Sequence, residues 1–368
     1  MQQTDIKYMK RALTLARRGV GRTAPNPAVG CVIVRDGQVV GEGWHKKAGG
    51  PHAEIHALAM AGEVARDADV YVTLEPCCHQ GKTPPCTDAL IAAGVRRVVV
   101  GMVDPFLEVA GKGLYVLRQA GIRVDVGLLE TECRELNKGF VKAVTTGLPY
   151  IIYKTAMTLD GNIATVTGHS RWVSGEESRY LVHRLRARCD AVMVGVDTII
   201  ADNPQLTVRH IKGRDPLRII VDTRLRTPES VNVLHGSQAS RTIIATCEAD
   251  SDVHQRYQSQ GAVVLVCREY DGRVDMQDLL RKLASRGIQT VLLEGGSRLA
   301  GGMLRQGLID ECIFFYAPKI VGNGFAPFVI QGIATMHEAI KMSVQRIGMS
   351  GADVVVYARP ERDVCLPA

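Results

Sequence analysis

Residues 52–86, HAEIHALAMAGEVARDADVYVTLEPCCHQGKTPPC, decide the fold of the first half of the chain. A helical pattern begins after Pro51, an apolar strand follows at 70–74, and a loop then leads to Cys86, which opens a second helix after two prolines. A helix, a strand and a helix in this order predict an α/β unit in which helices cover a partly parallel sheet.

The same stretch carries one imidazole and two thiols of the kinds that bind zinc. His52 stands two residues before Glu54, Cys77 follows Pro76, and Cys86 comes nine positions after Cys77. Three such ligands leave a fourth zinc position open for water, and a carboxylate beside the metal can move the protons of a hydrolysis. We therefore predict a zinc site on His52, Cys77 and Cys86, with Glu54 as the catalytic proton shuttle.

The spacing of the two thiols leaves alternatives open. His-x-Glu followed by Pro-Cys-x-x-Cys is the signature of zinc nucleobase deaminases, but eight residues separate the thiols here. Cys78 or His79 could supply a fourth ligand and close a purely structural zinc site. The cysteines could also be unrelated core residues. His56, on the same predicted helix, is interpreted as a packing residue.

Composition bounds the class of protein. The chain has 368 residues, which favours two domains, and 46% hydrophobic with 23% charged residues is ordinary for a globular protein. The 45 basic and 38 acidic residues give a net charge of +7, but the basic residues are scattered and aromatic residues make up only 5%. This favours anionic small molecules over nucleic acid as partners.

The cysteines and the N-terminus predict a cytoplasmic protein. Most of the ten cysteines are isolated within apolar runs, which is typical of reduced, buried thiols rather than of a disulfide framework. The first residues, MQQTDIKYMKRALTLARR, have the pattern of an amphipathic helix without an apolar signal core. No apolar run approaches the ~20 residues that span a bilayer.

Two α/β units follow from the order of the predicted elements. In the first, residues 29–45 predict a hairpin that turns at Asp36-Gly37, and one helix is expected at 130–144. The small residues, Gly and Pro of 145–150 predict a boundary, with domains at 1–145 and 146–368. In the second, helices are expected at 176–188 and 275–286, and strands at 191–196, 217–222, 241–246, 262–267, 290–293, 311–317 and 353–358.

A strand that runs into a Gly-Gly turn and then into a helix predicts a dinucleotide cradle in the second half. This pattern is TVLLEGGSRLAGGML at 290–304, where backbone amides can face a pyrophosphate. A purely structural turn explains the pattern equally well.

Three segments of the first half, at 23–34, 41–54 and 73–95, resemble the RibD family of bifunctional deaminase/reductases of riboflavin biosynthesis. That family has the longer loop between its zinc cysteines. The resemblance implies zinc on the residues named above and Glu54 as proton shuttle. It also implies contacts with a phosphorylated pyrimidine from Asn26, His45, His79 and Lys82. The family usually reads Asp-Pro-Asn-Pro where this chain has Asp-Pro-Phe-Leu at 104–107.

Segments 154–165, 170–175, 201–209 and 292–302 resemble the reductase half of the same family, which is similar to dihydrofolate reductase in fold and takes hydride from NADPH. The implied cofactor-binding residues are Ala156, Trp172, Thr198, Asp202, Thr223, Gly296, Ser297, Arg298, Leu299, Ala300, Gly301 and Gly302. The implied substrate residues are Lys154, Ser170, Arg186, Leu206, Arg209 and Glu294. The two arginines suit a phosphate because a guanidinium binds it bidentately.

The resemblance implies a cytidine-deaminase-like three-layer domain followed by a dihydrofolate-reductase-like domain. The first would deaminate 2,5-diamino-6-(5-phosphoribosylamino)pyrimidin-4(3H)-one, and the second would reduce its ribosyl group to a ribityl chain. We expect a homo-oligomer that binds neither nucleic acid nor membrane. One alternative is a deaminase of the tRNA adenosine type with a C-terminal RNA-binding module, and another is a zinc protein without catalytic activity.

Overall fold

The structure, a computed structural model, describes residues 3–80, 84–106 and 109–361. The chain forms two compact units, Met1–Leu148 and Pro149–Ala368. Residue 145, after which the sequence predicts the boundary, lies inside the helix Lys138–Thr146, and the units divide just beyond that helix. Each unit has its own sheet.

Helices and strands alternate through the first unit after an initial hairpin. Its elements are α1 Gln3–Ala16, β1 Gly30–Arg35, β2 Gln38–Trp44, α2 Ala53–Ala61, β3 Asp69–Leu74, α3 Cys86–Ala92, β4 Arg97–Met102, α4 Lys112–Gln119, β5 Arg123–Val126, α5 Glu130–Leu136 and α6 Lys138–Thr146.

The first unit is a three-layer α/β/α structure, as expected. Its sheet has the order β2-β1-β3-β4-β5, with β1 antiparallel to both neighbours and the remaining pairs parallel. One buried cluster joins α2, α3 and α4 to one face of the sheet, and a second joins α1 and α5 to the other. Both faces are therefore covered, which explains why β3 and β4 are apolar almost throughout.

The predicted hairpin is confirmed, and the strand after it sets the position of α2. Asp36 and Gly37 have φ of 51° and 77°, the left-handed values that a tight hairpin turn requires. On β2, a Cβ at Gly43 would lie 2.1 Å from the carbonyl oxygen of Ala53. Only glycine lets the first turn of α2, and with it His52, lie directly against the sheet.

The single helix predicted at 130–144 is wrong, because two helices meet at Asn137. The side chain of Asn137 is buried and bonds both the N–H and the carbonyl of Ala28, at 2.8 and 3.0 Å. Its φ of −107° ends α5 and starts α6. A long-range contact of this kind leaves no periodic trace in the sequence, so the pattern alone could not show the break.

The second unit contains most of the strands. Its elements are β6 Tyr150–Thr158, β7 Ala164–Thr165, α7 Glu176–Arg188, β8 Ala191–Gly195, α8 Val196–Asp202, β9 Leu217–Val221, β10 Thr242–Thr246, α9 Ser251–Gln258, β11 Val263–Val266, β12 Glu269–Tyr270, β13 Arg273–Val274, α10 Met276–Ala284, β14 Thr290–Leu293, α11 Ser297–Arg305, β15 Glu311–Ala317, β16 Gly324–Phe325, β17 Met342–Ser350 and β18 Asp353–Pro360.

A nine-stranded sheet forms the centre of the second unit, with the order β11-β10-β9-β8-β14-β6-β15-β18-β17. The first seven strands in this order, from β11 through β10, β9, β8, β14 and β6 to β15, are parallel, and β18 and β17 are antiparallel additions at one edge. The strands predicted from 191 to 358 are confirmed. The sequence missed β17, whose exposed residues do not alternate with buried ones. None of the helices formed by the described residues combines the length and apolar character that crossing a membrane requires.

Candidate active sites

Three element ends bring the predicted zinc ligands together in the first unit. His52 is the N-cap residue of α2, Cys77 follows the end of β3, and Cys86 is the first residue of α3. His52 Nδ1 lies 3.2 Å from Cys86 Sγ and 3.5 Å from Cys77 Sγ. One ligand atom from each of the three residues lies within 4.8 Å of the other two.

This donor set fits zinc. Bond lengths of about 2.0 Å to nitrogen and 2.3 Å to sulfur, in a tetrahedron, place ligand atoms roughly 3.5 to 3.8 Å apart, close to the observed separations. Among the described residues, the cluster contains only His52, Cys77 and Cys86. Cys78 and His79 do not belong to it, so the described residues do not form the closed four-ligand site that the sequence left open.

Hydrogen bonds favour a thiolate at this cluster. The hydrogen bond from Cys86 lowers the pKa of the Cys77 thiol to about 4, and that of Cys86 is raised in turn. The backbone N–H of Cys86, at the start of α3, also points at Cys77 Sγ at 3.4 Å. The hydrogen bond with Cys77 raises the pKa of His52. The two thiols, Cys77 and Cys86, therefore share one proton, which stays on Cys86 and leaves Cys77 as the thiolate.

Glu54 lies in the first turn of α2, directly beside these ligands. Glu54 is only 3% exposed, and this burial raises the pKa of its carboxyl to about 7. The neighbouring Cys86 thiol and His52 act in the opposite direction and lower the pKa of the carboxyl, but burial outweighs them. A carboxyl with a pKa near neutrality can both take up and release a proton, which is the requirement for general acid–base chemistry.

Asn26 and His45 are also brought to this cluster. His45 Nδ1 lies 3.1 Å from the carbonyl oxygen of Pro51, which can only accept, so the ring proton is on Nδ1. Nε2 is then the acceptor for the Asn26 amide at 3.3 Å. The ring of His45 stands edge-on to that of His52, with centroids 5.4 Å apart. His79 is exposed in the following loop, and Lys82 lies outside the described residues.

Two further side chains near the cluster, Glu75 and His56, have surroundings in the structure that the sequence did not predict. The Glu75 carboxylate accepts four backbone N–H groups, from Asp104, Gly111, Gly113 and Leu114, at 2.9 to 3.3 Å. It thereby fixes the start of α4 beside the residues that lead to Cys77. The sequence could have indicated Glu75, because an acidic residue there stands between an apolar strand and the Pro-Cys of the zinc site. His56, interpreted as a packing residue, is half-buried, and its Nε2 makes no hydrogen bond to the described residues.

In the second unit, the predicted cofactor-binding residues gather at the carboxyl ends of four adjacent strands. Ala156 is on β6, Thr198 is in the first turns of α8 after β8, Thr223 follows β9, and the Gly-Gly turn follows β14. A Cβ at Gly295 would lie 2.8 Å from Thr198 Oγ1. Glycine thus lets the turn after β14 approach α8 closely, as in cradles for phosphate groups.

The predicted segment 296–302 is the beginning of α11, whose N-cap residue is Gly296. The N–H groups of Ser297, Arg298 and Leu299 precede the first intrahelical bond, which runs from Ala300 to Gly296, so they face outward from the helix end. Ala300 is buried, and a Cβ at Gly301 would meet the Val329 carbonyl at 2.2 Å. A Cβ at Gly302 would meet nothing within 4 Å.

Trp172 and Asp202 lie on neighbouring surface segments. Trp172 is 65% exposed, and the guanidinium of Arg179 lies over its ring at 4.7 Å. Asp202 ends α8, and its carbonyl accepts a hydrogen bond from Arg171 at 2.7 Å. This bond places the residue before Trp172 next to the end of the helix that carries Thr198.

A buried ion pair marks the predicted substrate side of the second unit. Arg186 of α7 donates to both carboxylate oxygens of Glu294, at 2.5 and 2.9 Å, and the side chains are only 12% and 9% exposed. Burial opposes the charge of Glu294, but Arg186 and Lys154 outweigh it and lower the pKa of the carboxyl. Burial also lowers the pKa of Lys154, which Glu294 partly offsets.

Arg209 adds a further cation close to this pair. Its pKa is lowered by burial and by the charge of Arg186, and its Nη1 contacts Gln205 Oε1 at 2.5 Å. Leu206 is 3% exposed and packs in the hydrophobic core, so only its main-chain atoms are available to a ligand. Ser170 is half-buried before Arg171.

Comparisons with known proteins agree with this geometry. The model of the cytidine and deoxycytidylate deaminase zinc-binding region matches residues 2–102, and that of the RibD C-terminal domain matches residues 149–356. Riboflavin biosynthesis protein RibD of Actinobacillus pleuropneumoniae is 44% identical over 96% of this chain and 94% of its own length. The RibD protein of Escherichia coli K12 is 43% identical over 96% and 98%.

Solved structures agree over the full length of the chain. RibD of Acinetobacter baumannii (form 1) has a TM-score of 0.90 at 39% identity and covers 98% of this chain and 99% of its own. A Thermotoga maritima diaminohydroxyphosphoribosylaminopyrimidine deaminase/5-amino-6-(5-phosphoribosylamino)uracil reductase has a TM-score of 0.88 at 37% identity, covering 97% and 99%. The chain belongs to the RibD family.

Membership of the RibD family settles the general function. The protein is a bifunctional deaminase/reductase of riboflavin biosynthesis, and its two halves are the zinc-binding deaminase domain and the reductase domain. Zinc and NADPH, the cofactors expected from the sequence, are those of the family. The second half is therefore a reductase rather than the RNA-binding module of the alternative hypothesis, and the first is catalytic rather than only structural.

Proposed function

We propose that the first unit deaminates 2,5-diamino-6-(5-phosphoribosylamino)pyrimidin-4(3H)-one at the cluster of His52, Cys77 and Cys86. The second unit then reduces the ribosyl group of the product to a ribityl chain at the site of Arg186 and Glu294. The observation that carries the proposal is the buried Glu54 carboxyl beside a three-ligand zinc cluster. We assign the deaminase domain, predicted from the sequence at 1–145, to the first unit, and the reductase domain, predicted at 146–368, to the second; the units divide after Leu148.

In the deaminase, His52, Cys77 and Cys86 would hold zinc. The metal supplies Lewis acidity, which lowers the pKa of water to about 7. Glu54 would accept the proton that the attacking water loses and return it to the departing amino group. Its pKa of about 7 lets one carboxyl perform both transfers near neutral pH.

Binding of the pyrimidine would fall to the residues around that cluster. The hydrogen bonds of His45 to Pro51 and Asn26 fix its tautomer, so the Asn26 amide and the imidazole present a defined pattern to a ring. His79 and Lys82, in the loop between the two cysteines, would contact the outer part of the substrate. A lysine there suits the phosphate.

In the reductase, the outward N–H groups at the start of α11 would hold the pyrophosphate of NADPH, since helix N-termini attract phosphate. Ala156, Thr198 and Thr223 line the same edge of the sheet, and Trp172 and Asp202 would complete the binding site. The cofactor supplies a hydride when it is bound. Among 296–302, Gly296, Ser297, Arg298 and Leu299 are best placed, because Ala300 and Gly301 face the core.

The charges on the substrate side suit an anion. The basic side chains Lys154, Arg186 and Arg209 outnumber the two carboxylates, Glu294 and Asp215, that act on Arg186. Partly buried cations without enough carboxylates favour a ligand that brings negative charge. We assign the phosphate of the substrate to Arg186 and Arg209, and sugar hydroxyls to Ser170, Lys154 and Glu294.

A coupled assay tests the two activities together. With the diamino substrate and NADPH, the enzyme should release ammonia and consume NADPH in equal amounts. A zinc chelator should abolish ammonia release, while NADPH consumption with the deaminated substrate continues. Loss of both activities on chelation would contradict the assignment of zinc to the first unit alone. Unchanged ammonia release from a protein shown to be zinc-free would refute the deaminase proposal.

We also propose that the enzyme is a cytoplasmic homo-oligomer that acts on a small molecule rather than on nucleic acid. The described residues form no disulfide among themselves, which suits a reducing compartment. On the edge strand β17, Val344, Ile347 and Met349 are 55% to 66% exposed, an apolar edge that association would cover. Light scattering should show a smaller particle for Ile347→Glu but not for Gln345→Glu, its exposed neighbour on β17.

A further inference from the structure

His183 joins helix α7 to the segment that carries Arg209. Its Nδ1 accepts the backbone N–H of Arg209 at 3.3 Å, and the residue is 5% exposed. Three residues later on α7, Arg186 donates from Nη1 to the carbonyl of Thr207 at 3.0 Å. Residues three apart share a helix face, so this face of α7 holds the segment 207–209 at two points.

A second contact of different chemistry holds the same segment. The ring of His210 lies against that of His183, with centroids 4.7 Å apart and an interplanar angle of 76°. It also lies against Tyr180 at 5.2 Å and 64°. Both angles are edge-to-face arrangements, which aromatic rings favour. The residue after Arg209 is therefore seated between two side chains of α7.

The hydrogen bond requires a neutral imidazole, and the surroundings keep it neutral. Burial lowers the pKa of His183 to about 4, and the charges of Arg186, His210 and Arg209 act in the same direction. Glu294, after β14, acts weakly in the opposite direction. Nδ1 therefore remains an acceptor at neutral pH, and the ring proton lies on Nε2.

Fixing Arg209 matters because the guanidinium lies close to another positive charge. Arg186 contributes to the lowered pKa of Arg209, so the two cations repel each other when no substrate phosphate lies between them. This repulsion drives the flexible side chain of Arg209 away from Arg186. A fixed backbone at Arg209 limits how far its guanidinium can move. The two bonds from α7 to residues 207 and 209 provide that restraint.

We propose that His183 is a positioning residue of the reductase, which fixes the backbone of Arg209 so that this arginine and Arg186 bind the phosphate of the substrate together. The proposal rests on the assignment of the phosphate to these arginines under "Proposed function". His183 acts through Arg209 and is not assigned a contact with the substrate.

Two polar substitutions test the role of Nδ1. In His183→Asn, the amide oxygen can take the place of Nδ1, whereas in His183→Gln the polar atoms lie where Nε2 was. With the deaminated substrate and NADPH, we expect His183→Gln to raise KM about tenfold with kcat almost unchanged. The KM of His183→Asn should stay within about threefold of that of the natural enzyme. With the dephosphorylated substrate, neither variant should change KM.

Two further variants separate the inference from the function on which it rests. Arg209→Ala should raise KM for the phosphorylated substrate only, and an unchanged KM would refute the phosphate assignment itself. If Arg209→Ala raises KM but His183→Gln does not, or raises it equally for both substrates, the role of His183 is refuted. His254→Gln is the matched control, because His254 is also buried and its ring bonds the Glu248 carbonyl, at 2.9 Å, rather than any part of the substrate site that the structure describes.

Discussion

The two sites of this chain are built in different ways. The zinc cluster takes all its ligands from 35 consecutive residues, 52–86, where three element ends meet at one edge of a five-stranded sheet. The reductase site takes its residues from β6, α7, the segment 205–209 and the turn after β14. The first depends on the local course of the chain, and the second depends on the order of strands in a nine-stranded sheet.

The difference extends to electrostatics. At the zinc cluster, burial raises the pKa of the Glu54 carboxyl to about 7, where proton transfer near neutral pH is possible, and hydrogen bonding lowers the pKa of Cys77 so that it is a thiolate. In the reductase, the arginines remain charged, and the carboxylates of Glu294 and Asp215 balance only part of the surrounding positive charge. One site is therefore arranged for proton transfer, whereas the other is arranged to bind an anion. Substitutions should consequently affect only one site at a time.

The largest expected effect separates Cys77 from its neighbour Cys78. Cys77→Ser should lose zinc and lower the deamination rate by more than about 10⁴-fold, because the metal supplies several kcal/mol of stabilisation to the transition state. Cys78→Ser should retain both zinc and activity, since Cys78 lies outside the cluster. Metal analysis and ammonia release check both variants. Zinc loss from Cys78→Ser would restore the closed four-ligand site as the better interpretation.

Removal of the proton shuttle should leave the metal in place. Glu54→Gln keeps the shape of the side chain but cannot accept a proton, so we expect kcat for deamination to fall by about 10³-fold with zinc content unchanged. NADPH consumption with the deaminated substrate should stay normal. Glu63→Gln, an exposed substitution after α2, is the control. Full deamination by the Glu54 variant would show that the buried carboxyl is only structural.

How far the sequence could predict these sites follows from the same contrast. His52, Glu54, Cys77 and Cys86 are recognisable because zinc restricts both residue type and spacing. Arginine and glutamate are common on any surface, so Arg186 and Glu294 were identified through resemblance, and only the Gly-Gly turn had a signal of its own. The pairing of Arg186 with Glu294, 108 residues apart, depends on α7 and β14 meeting, which periodicity does not specify.

Contacts that stabilise the sites were harder still to predict. Glu75 takes its four N–H donors from residues 29 to 39 positions away, and Asn137 breaks a helix by bonding Ala28, 109 positions away. Local propensity contains no information about either partner. The exposed edge strand β17 was missed for the opposite reason, because a strand with little buried surface has no alternating pattern.

Breaking the buried ion pair should change the second unit alone. Arg186→Met leaves Glu294 buried and without its main partner, so we expect the free energy of unfolding of that unit to fall by about 3 kcal/mol. KM for the phosphorylated substrate should rise, and deamination should be unaffected. Chemical denaturation and kinetics check both effects. The double variant Arg186→Met/Glu294→Gln should regain part of the stability but not the affinity; recovery of the affinity would remove Arg186 from the phosphate site.

The smallest expected effect is a dependence of the stability of the second unit on pH, which arises from His183. The pKa of His183 is lowered from the ordinary histidine value of 6.5 to about 4 by burial and by nearby cations, so between these values the unfolded chain binds a proton that the folded chain does not. Stability must therefore fall as the pH is lowered from 6.5 towards 4. In His183→Asn no such proton exists, and the melting temperature of the second unit should fall less steeply over this range. His254→Asn is the control. If the melting temperature of His183→Asn falls as steeply as that of the natural enzyme, the pKa of His183 is not lowered in the folded protein, and its Nδ1 is not held as an acceptor for Arg209.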